Sequence, residues 1–426
     1  MTDREPPAGL PARAAALRML DAVLRRGEPL DQAAPNALRV LGGSGGGPED
    51  RALATAIVSE TLRWLTDLDA LIDSATRLAL APDAKVRSVL RLMLAQALRL
   101  DTPPHAVLAT GLALLTGGPR RLAHGVFSTL LKRGAALPAV PTLPPAVAER
   151  WLTAWPGRVE AIAAALAEPP PLDLTLRDPA ETARWAEELN GLSLLPGHVR
   201  IARAGAIEKL AGFAEGAWWV QDLAASLPAR LLGAGEGRAA LDLCAAPGGK
   251  TLQLAAAGWK VTALDRSSRR LERLDASLRR TGLAAKVVVA DALTWETDRK
   301  FDAILLDAPC SATGTCRRHP DVLHRTGPTQ PAGLSELVEL QRALLERAAG
   351  WLAPGGRLVY ATCSLEPAEG EAQAAAFTSL TPLPISADEL PAGIIATPAG
   401  WLRTDPGMMS EAGGIDGFFA ARFVQS

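Results

Sequence analysis

Two cysteines stand in settings that could do chemistry, Asp307-Ala308-Pro309-Cys310 and Ala361-Thr362-Cys363-Ser364. Upstream of both lies a glycine-bearing loop, Leu241-Asp242-Leu243-Cys244-Ala245-Ala246-Pro247-Gly248-Gly249-Lys250. Such a loop followed by two cysteines points to thiolate chemistry beside a bound cofactor. A thiolate can add to C6 of a pyrimidine, which makes C5 nucleophilic enough to take a methyl group from a sulfonium. Loss of the C5 proton then expels the thiolate, so one hard step becomes several easier ones. The thiol needs a lowered pKa or a base nearby. Cys244 and Cys316 read instead as small buried hydrophobes, the commoner role of a free cysteine.

The loop Cys244–Lys250 holds two glycines and a proline before a helix expected to start near Thr251. Glycines let backbone approach a ligand, and a helix start offers free N–H groups. It is neither the three-glycine dinucleotide pattern nor the Walker pattern, so phosphate is not its expected ligand. Asp265 ends the expected second strand, where an acid can accept both hydroxyls of a ribose. Asp291 ends the third, placed to meet an adenine edge, and Asp307 ends the fourth. Any one of them could be a solvated strand end or a helix cap. All three on consecutive strand ends, with no phosphate loop, point to S-adenosylmethionine.

The elements that must position these groups begin near Ala239, where strand, loop and helix alternate. Expected strands are Ala240–Leu243, Lys260–Leu264, Lys286–Ala290, Ala303–Leu306 and Arg357–Ala361, with helices between them such as Leu271–Thr281 and Leu334–Leu352. Alternation of this kind predicts a parallel sheet covered on both faces, with its ligand beyond the carboxyl ends of the strands.

Residues 10–135 read as helical throughout. Val86, Val89, Leu90, Met93, Leu94 and Ala97 recur at helical spacing and mark one apolar face. Leu17, Leu20 and Leu24 do the same ahead of a stop at Gly27. A break is expected at Gly42–Gly47 and another at Asp101–Pro104. Proline-rich stretches at 138–145 and 169–171 suggest a hinge region. Beyond them, a strand at Leu172–Leu176, a helix at Thr182–Leu189 and an extended stretch at Val199–Ala202 make a small mixed module. Three regions are therefore expected: 1–140 helical, 141–235 linker and small α+β module, and 236–426 cofactor-binding.

At 426 residues two or three domains of about 150 residues each are expected. Hydrophobic residues make up 48% and charged residues 21%, which places the chain among globular rather than disordered proteins. No window reaches the roughly 18 apolar residues of a membrane span, and no signal-peptide pattern opens the chain. Four cysteines without framework spacing suit a reducing compartment, so a cytoplasmic protein without disulfides is expected. The net charge of −1 does not announce a nucleic-acid partner, but a local basic face can hide in a neutral total. Candidates are Arg266, Arg269, Arg270 and Arg273, then Arg279 and Arg280, then Arg317, Arg318 and His319. A solvated helix face would explain the first of these equally well.

LDLCAAPGGKT, DAPCSATGT, ATCSLEPAEGE and the terminal DGFFAARF together resemble the RNA cytosine-5 methyltransferases of the Sun/Nol1/Nop2 type. The N-terminal half resembles the NusB-like RNA-binding domain fused to the bacterial 16S rRNA member, on Arg51-Ala52-Leu53-Ala54, Thr61-Leu62-Arg63 and Pro103-Pro104-His105-Ala106. The resemblance implies an all-α NusB-like domain and a Rossmann-type α/β methyltransferase domain with a mostly parallel sheet. It implies Cys363 as nucleophile, Cys310 as the group that assists release of the adduct, and Asp307 between cofactor and base. Cys244, Ala245, Ala246, Pro247, Gly248, Gly249 and Lys250, with Asp265, Asp291 and Asp307, would hold S-adenosylmethionine. Cys310 is the rival nucleophile, since DNA cytosine methyltransferases use a Pro-Cys cysteine. Leu174–Asp178 and Val126–Arg133 depart from the family's usual residues, in regions thought to touch RNA. The implied substrate is RNA, 16S rRNA in particular, with no metal and a monomeric enzyme expected. A tRNA cytosine-5 methyltransferase and a non-catalytic ribosome assembly factor are the alternatives.

Overall fold

The computed structural model describes residues 7–43, 47–202, 205–325 and 331–426. The expected glycine-rich break at 42–47 lies partly outside them. The chain divides into two compact units, one built from residues up to Glu168 together with Arg318–Ala332, the other from Pro169–Arg317 and Gly333–Ser426.

The first unit is helical: α1 (Leu10–Arg26), α2 (Leu30–Gly43), α3 (Pro48–Arg63), α4 (Leu65–Ser74), α5 (Lys85–Arg99), α6 (Pro104–Ala113), α7 (Gly117–Lys132), α8 (Pro145–Ala154) and α9 (Val159–Ala164). Gly27 ends α1 in the left-handed conformation, as its place after Arg25 and Arg26 predicts. Val86, Val89, Leu90, Met93 and Leu94 of α5 are buried in one core with Leu20, Ile57, Leu62 and Phe127. The unit runs past residue 140, where the prolines suggested an end. Arg63, buried on α3, donates to the carbonyl of Leu166 at 2.7 Å and fastens the segment after α9 to the bundle.

Its last piece comes from far along the chain. The 3₁₀ turn Pro320–Leu323 packs on α3, and the carboxylate of Asp321 accepts from the backbone N–H of Leu30 at 3.1 Å. Val322 and Leu323 are buried there. Burial pushes the His324 imidazole down to about 4, with a backbone hydrogen bond at Leu62 opposing the shift.

The second unit begins with β1 (Leu172–Leu176), α10 (Thr182–Glu188), β2 (His198–Ile201) and β3 (Trp218–Val220), a small antiparallel sheet in the order β2-β1-β3. The third strand is not apparent in the sequence. Then follow α11 (Leu223–Arg230), β4 (Ala239–Leu243), α12 (Gly249–Ala256), β5 (Lys260–Asp265), α13 (Ser268–Thr281), β6 (Ala285–Val289), β7 (Phe301–Asp307), α14 (Pro331–Trp351), β8 (Leu352–Thr362), α15 (Glu371–Ala376), β9 (Thr381–Pro382), β10 (Leu402–Thr404) and β11 (Phe418–Val424). The main sheet runs β10-β11-β8-β7-β4-β5-β6, with β9 on β11.

Strands β4 to β8 pair in parallel, whereas β11 joins β8 antiparallel and carries β9 and β10. The expected parallel sheet is therefore mixed at one side. From β4 the chain builds outward through β5 and β6, then returns to the other side of β4 at β7. That reversal between neighbouring strands is where a doubly wound sheet opens a crevice at its carboxyl ends.

Candidate active site

The loop after β4 faces this crevice. Cys244 takes a positive φ of 61° as the chain leaves the strand, and the Ala245 N–H bonds to the carbonyl of Leu264. Gly248 caps α12 with φ +112°, and a Cβ there would lie 2.4 Å from Cδ1 of Leu274. Only glycine fits both the angle and the space.

Asp265 closes β5 and is buried. Its Oδ2 accepts from the Ala246 N–H at 3.1 Å and its Oδ1 from the Ser267 N–H at 2.8 Å, which ties the strand end to the loop. Asp291 does not end β6: the strand stops at Val289, and the exposed Asp291 carboxylate caps its own turn by accepting from Leu293 N–H at 2.9 Å. Beneath the loop Asp242 is fully buried, accepts from Thr251 Oγ1, and keeps Oδ1 without a hydrogen-bond partner. Burial, with Asp307 and Asp265 adding their charges against the Thr251 bond, pushes its carboxyl up to about 7.

This donor set suits S-adenosylmethionine. Asp265 and Asp307 at the ends of β5 and β7, with the loop carbonyls, can accept hydrogen bonds from ribose hydroxyls and an adenine amine, and a negative field favours a sulfonium. A phosphate would meet the wrong charge.

Across the switch point, Leu306 of β7 pairs with Leu243 of β4, and Asp307 pairs with Ala361 of β8. Three adjacent strands thus deliver the loop, Asp307 and the two cysteines to one place. Lys250 Nζ donates to Asp307 Oδ2 at 2.7 Å and lies over the Phe418 ring at 4.9 Å. Burial works to lower the Lys250 ammonium, but Asp307, Cys363 and Asp242 around it outweigh that and raise it. Lys250 was expected only as part of the cofactor loop; it also bonds Asp307 and feels the charge of Cys363.

Cys310 and Cys363 lie with their Sγ atoms 3.5 Å apart, as free thiols. The Cys310 thiol is raised well above the ordinary range, first by its hydrogen bond to Cys363, then by burial and by the charges of Cys363 and Glu369. Either thiol can donate in this contact. Cys244 is pushed up to about 12 by burial and by Asp265, Asp307 and Asp242, which makes it inert. Cys316 is fully buried.

Of the basic candidates, Arg266, Arg269, Arg270, Arg273 and Arg279 are exposed at or on α13. Arg280 stacks on Phe213 and donates to the carbonyls of Phe213 and Trp218. Arg317 is buried, with Nε 3.1 Å from Asp416, and holds structure together rather than facing solvent. Sequence reasoning missed Glu369, fully buried where the two cysteine loops meet. Its only signal is an acid six residues beyond Cys363.

Comparison with known proteins agrees with this architecture. Residues 229–424 match the family described as 16S rRNA methyltransferase RsmB/F, and residues 10–116 match the NusB family. Ribosomal RNA small subunit methyltransferase B of Klebsiella pneumoniae subsp. pneumoniae is 34% identical over 97% of this chain and 98% of its own. The protein of the same description from Pseudomonas putida is 36% identical over 97% and 98%. A solved methyltransferase homolog from Pyrococcus horikoshii is 26% identical, with TM-score 0.56 over 70% of this chain and 98% of its own. With near full-length identity above the level that defines kinship, and with a NusB-family helical unit ahead of a methyltransferase sheet, the chain belongs to the ribosomal RNA small subunit methyltransferase B family.

Proposed function

We propose that this rRNA methyltransferase acts on C5 of a cytosine in 16S rRNA through a covalent Cys363–C6 adduct. The observation that carries this reading is the pair of thiols 3.5 Å apart, beside Lys250 and Asp307, at the switch point of the sheet. Cys363, in the Thr-Cys motif, attacks, and Cys310, in the Pro-Cys motif, assists release. Asp307, oriented by Lys250, hydrogen-bonds the ring and holds it for attack, while the Lys250 charge stabilises the electron density that thiolate addition pushes into the ring. S-adenosylmethionine, when bound at the loop, supplies the methyl group as a sulfonium. Water takes the C5 proton, the electron pair of that C–H bond re-forms the ring double bond and expels Cys363 as a thiolate, and Cys310, 3.5 Å away, hydrogen-bonds the departing sulfur. A cytosine inside a helix cannot present C6, so the target is single-stranded or flipped out.

The test is a denaturing gel of Cys310→Ala and Cys363→Ala, each incubated with unmodified 16S rRNA and S-adenosylmethionine. The expected result is a protein–RNA band from Cys310→Ala and none from Cys363→Ala. A band from Cys363→Ala alone would reverse the roles. Methyl transfer to tRNA but not to 16S rRNA would overturn the substrate.

A further inference from the structure

Glu369 ends the 3₁₀ turn Pro367–Glu369, a few residues beyond β8, and is fully buried. Its Oε1 accepts from the backbone N–H of Ser311 at 2.9 Å and from Gln341 Nε2 at 3.0 Å. Its Oε2 accepts from Ser311 Oγ and from Ser364 Oγ, each at 2.5 Å. Ser311 directly follows Cys310, and Ser364 directly follows Cys363. Gln341 Nε2 also donates to the carbonyl of Pro309, just before Cys310, at 2.8 Å. The two serine hydroxyls are themselves 2.9 Å apart.

One carboxylate therefore receives hydrogen bonds from both cysteine loops. The donors are neutral hydroxyls, an amide side chain and a backbone N–H. Burying a carboxylate on neutral donors costs more than burying an apolar side chain would, so its place here calls for a return other than bulk stability. A carboxylate offers two oxygens in one rigid plane, each able to accept two bonds, which suits it to fix two loops against each other.

We propose that Glu369 is a positioning residue that sets the separation of the Cys310 and Cys363 thiols, and thereby the release of the methylated base. The inference rests on the covalent reading above. Formation of the adduct needs only Cys363 and the groups around the base. Release needs Cys310 in register with the departing sulfur of Cys363. Loosening the clamp therefore slows release more than attack, and the adduct accumulates with both cysteines present.

The experiment uses the full-length chain with unmodified 16S rRNA and S-adenosylmethionine, and compares Glu369→Ala, Glu369→Gln, Ser311→Ala and Cys310→Ala. Trapped protein–RNA band and steady-state turnover are both normalised to folded protein. Glu369→Ala is expected to lower kcat by about 10- to 100-fold with KM for RNA little changed, and to accumulate a band that wild type lacks. Glu369→Gln, which keeps one acceptor and turns the other oxygen into a donor for the serine hydroxyls, restores turnover. Should Glu369→Ala not fold, Ser311→Ala carries the same expectation in smaller measure. If Cys310→Ala traps RNA while Glu369→Ala and Ser311→Ala lose turnover without a band, the clamp is overturned and the covalent reading stands. If Cys310→Ala traps nothing, the covalent reading falls and the clamp with it.

Discussion

Lys250 and Asp307 form an ion pair at 2.7 Å although 57 residues separate them. One starts α12 after strand β4 and the other ends β7, and the pair closes the gap between these neighbouring strands. Each group is partly withdrawn from water, so the pair is screened less than a surface bridge. Lys250→Met keeps the length of the side chain and removes its charge. The expected outcome is a fall of about 100-fold in the single-turnover rate of methyl transfer, comparable to loss of one preorganised electrostatic group. The Cys310→Ala adduct should form more slowly by a similar factor in the Lys250→Met background. A rate unchanged by the substitution would remove Lys250 from the reacting centre and return it to the cofactor loop.

Gly248 makes a second prediction. Its φ of +112° and the 2.4 Å approach to Leu274 leave no room for a side chain. Gly248→Ala should weaken binding of S-adenosylhomocysteine about tenfold or more by calorimetry, because strain of about 1–3 kcal/mol falls on the cofactor loop. Gly350→Ala is the control: that glycine lies inside α14 with nothing within 4 Å of an added Cβ, and the change should stabilise the chain by up to about 1 kcal/mol. Equal affinities in the two variants would count against the loop as the cofactor site.

Asp242 predicts the pH dependence of one buried site. Its folded value of about 7 lies above the ordinary 3.8. Between those values the folded state holds a proton that the unfolded chain has lost, so stability declines as pH rises through this window. Three pKa units correspond to about 4 kcal/mol as an upper bound. Asp242→Asn should therefore gain stability over wild type progressively between about pH 4 and about pH 7 in denaturant titrations. A stability difference that is flat with pH would show that Asp242 is ionised in the folded state.

His324 predicts the opposite sign. Its folded value of about 4 lies below the ordinary 6.5. Stability from this group is fully present above 6.5 and is lost as pH falls toward 4, where only the unfolded chain takes up the proton. Protection factors in α3, corrected for the slower intrinsic exchange in acid, should fall on acidification, and His324→Gln should blunt that response. Acid sensitivity of α3 that survives the substitution would assign the effect elsewhere.

What the sequence reveals of this molecule follows how local each determinant is. Strands β4 to β8 are short apolar runs between helices, and their expected bounds agree with the structure to within a few residues at most ends. β8 is longer than Arg357–Ala361 because it starts at Leu352, ahead of an irregularity opposite Phe301. β11 escapes such a reading: Phe418–Phe423 is buried on both faces, so it shows no alternation, and its pairing with β8 spans some sixty residues of chain. β10 has three residues and exists only because β11 is there.

The site divides in the same way. Cys310, Cys363 and Asp307 are legible because their residue types and strand-end positions carry chemistry. Asp291 is misplaced by two residues because β6 ends early. Glu369 is invisible because its partners Ser311 and Gln341 come from other elements. Arg317 looks like part of a basic patch in sequence, but Asp416 claims it.

The helical unit is first in the chain but is not finished first. A turn carrying the buried Val322 and Leu323 packs on α3, and Asp321 accepts a bond from Leu30. On a translating ribosome, α1 to α9 would emerge and collapse without that segment, which is made only after β4 to β7. The bundle must hold a place open for it while most of the catalytic sheet is being synthesised. A gene cut after Glu168 would therefore yield two fragments that are each incomplete, one lacking a buried turn and the other carrying it exposed. The helical unit is discontinuous in sequence, and its last segment is made only after most of the second unit.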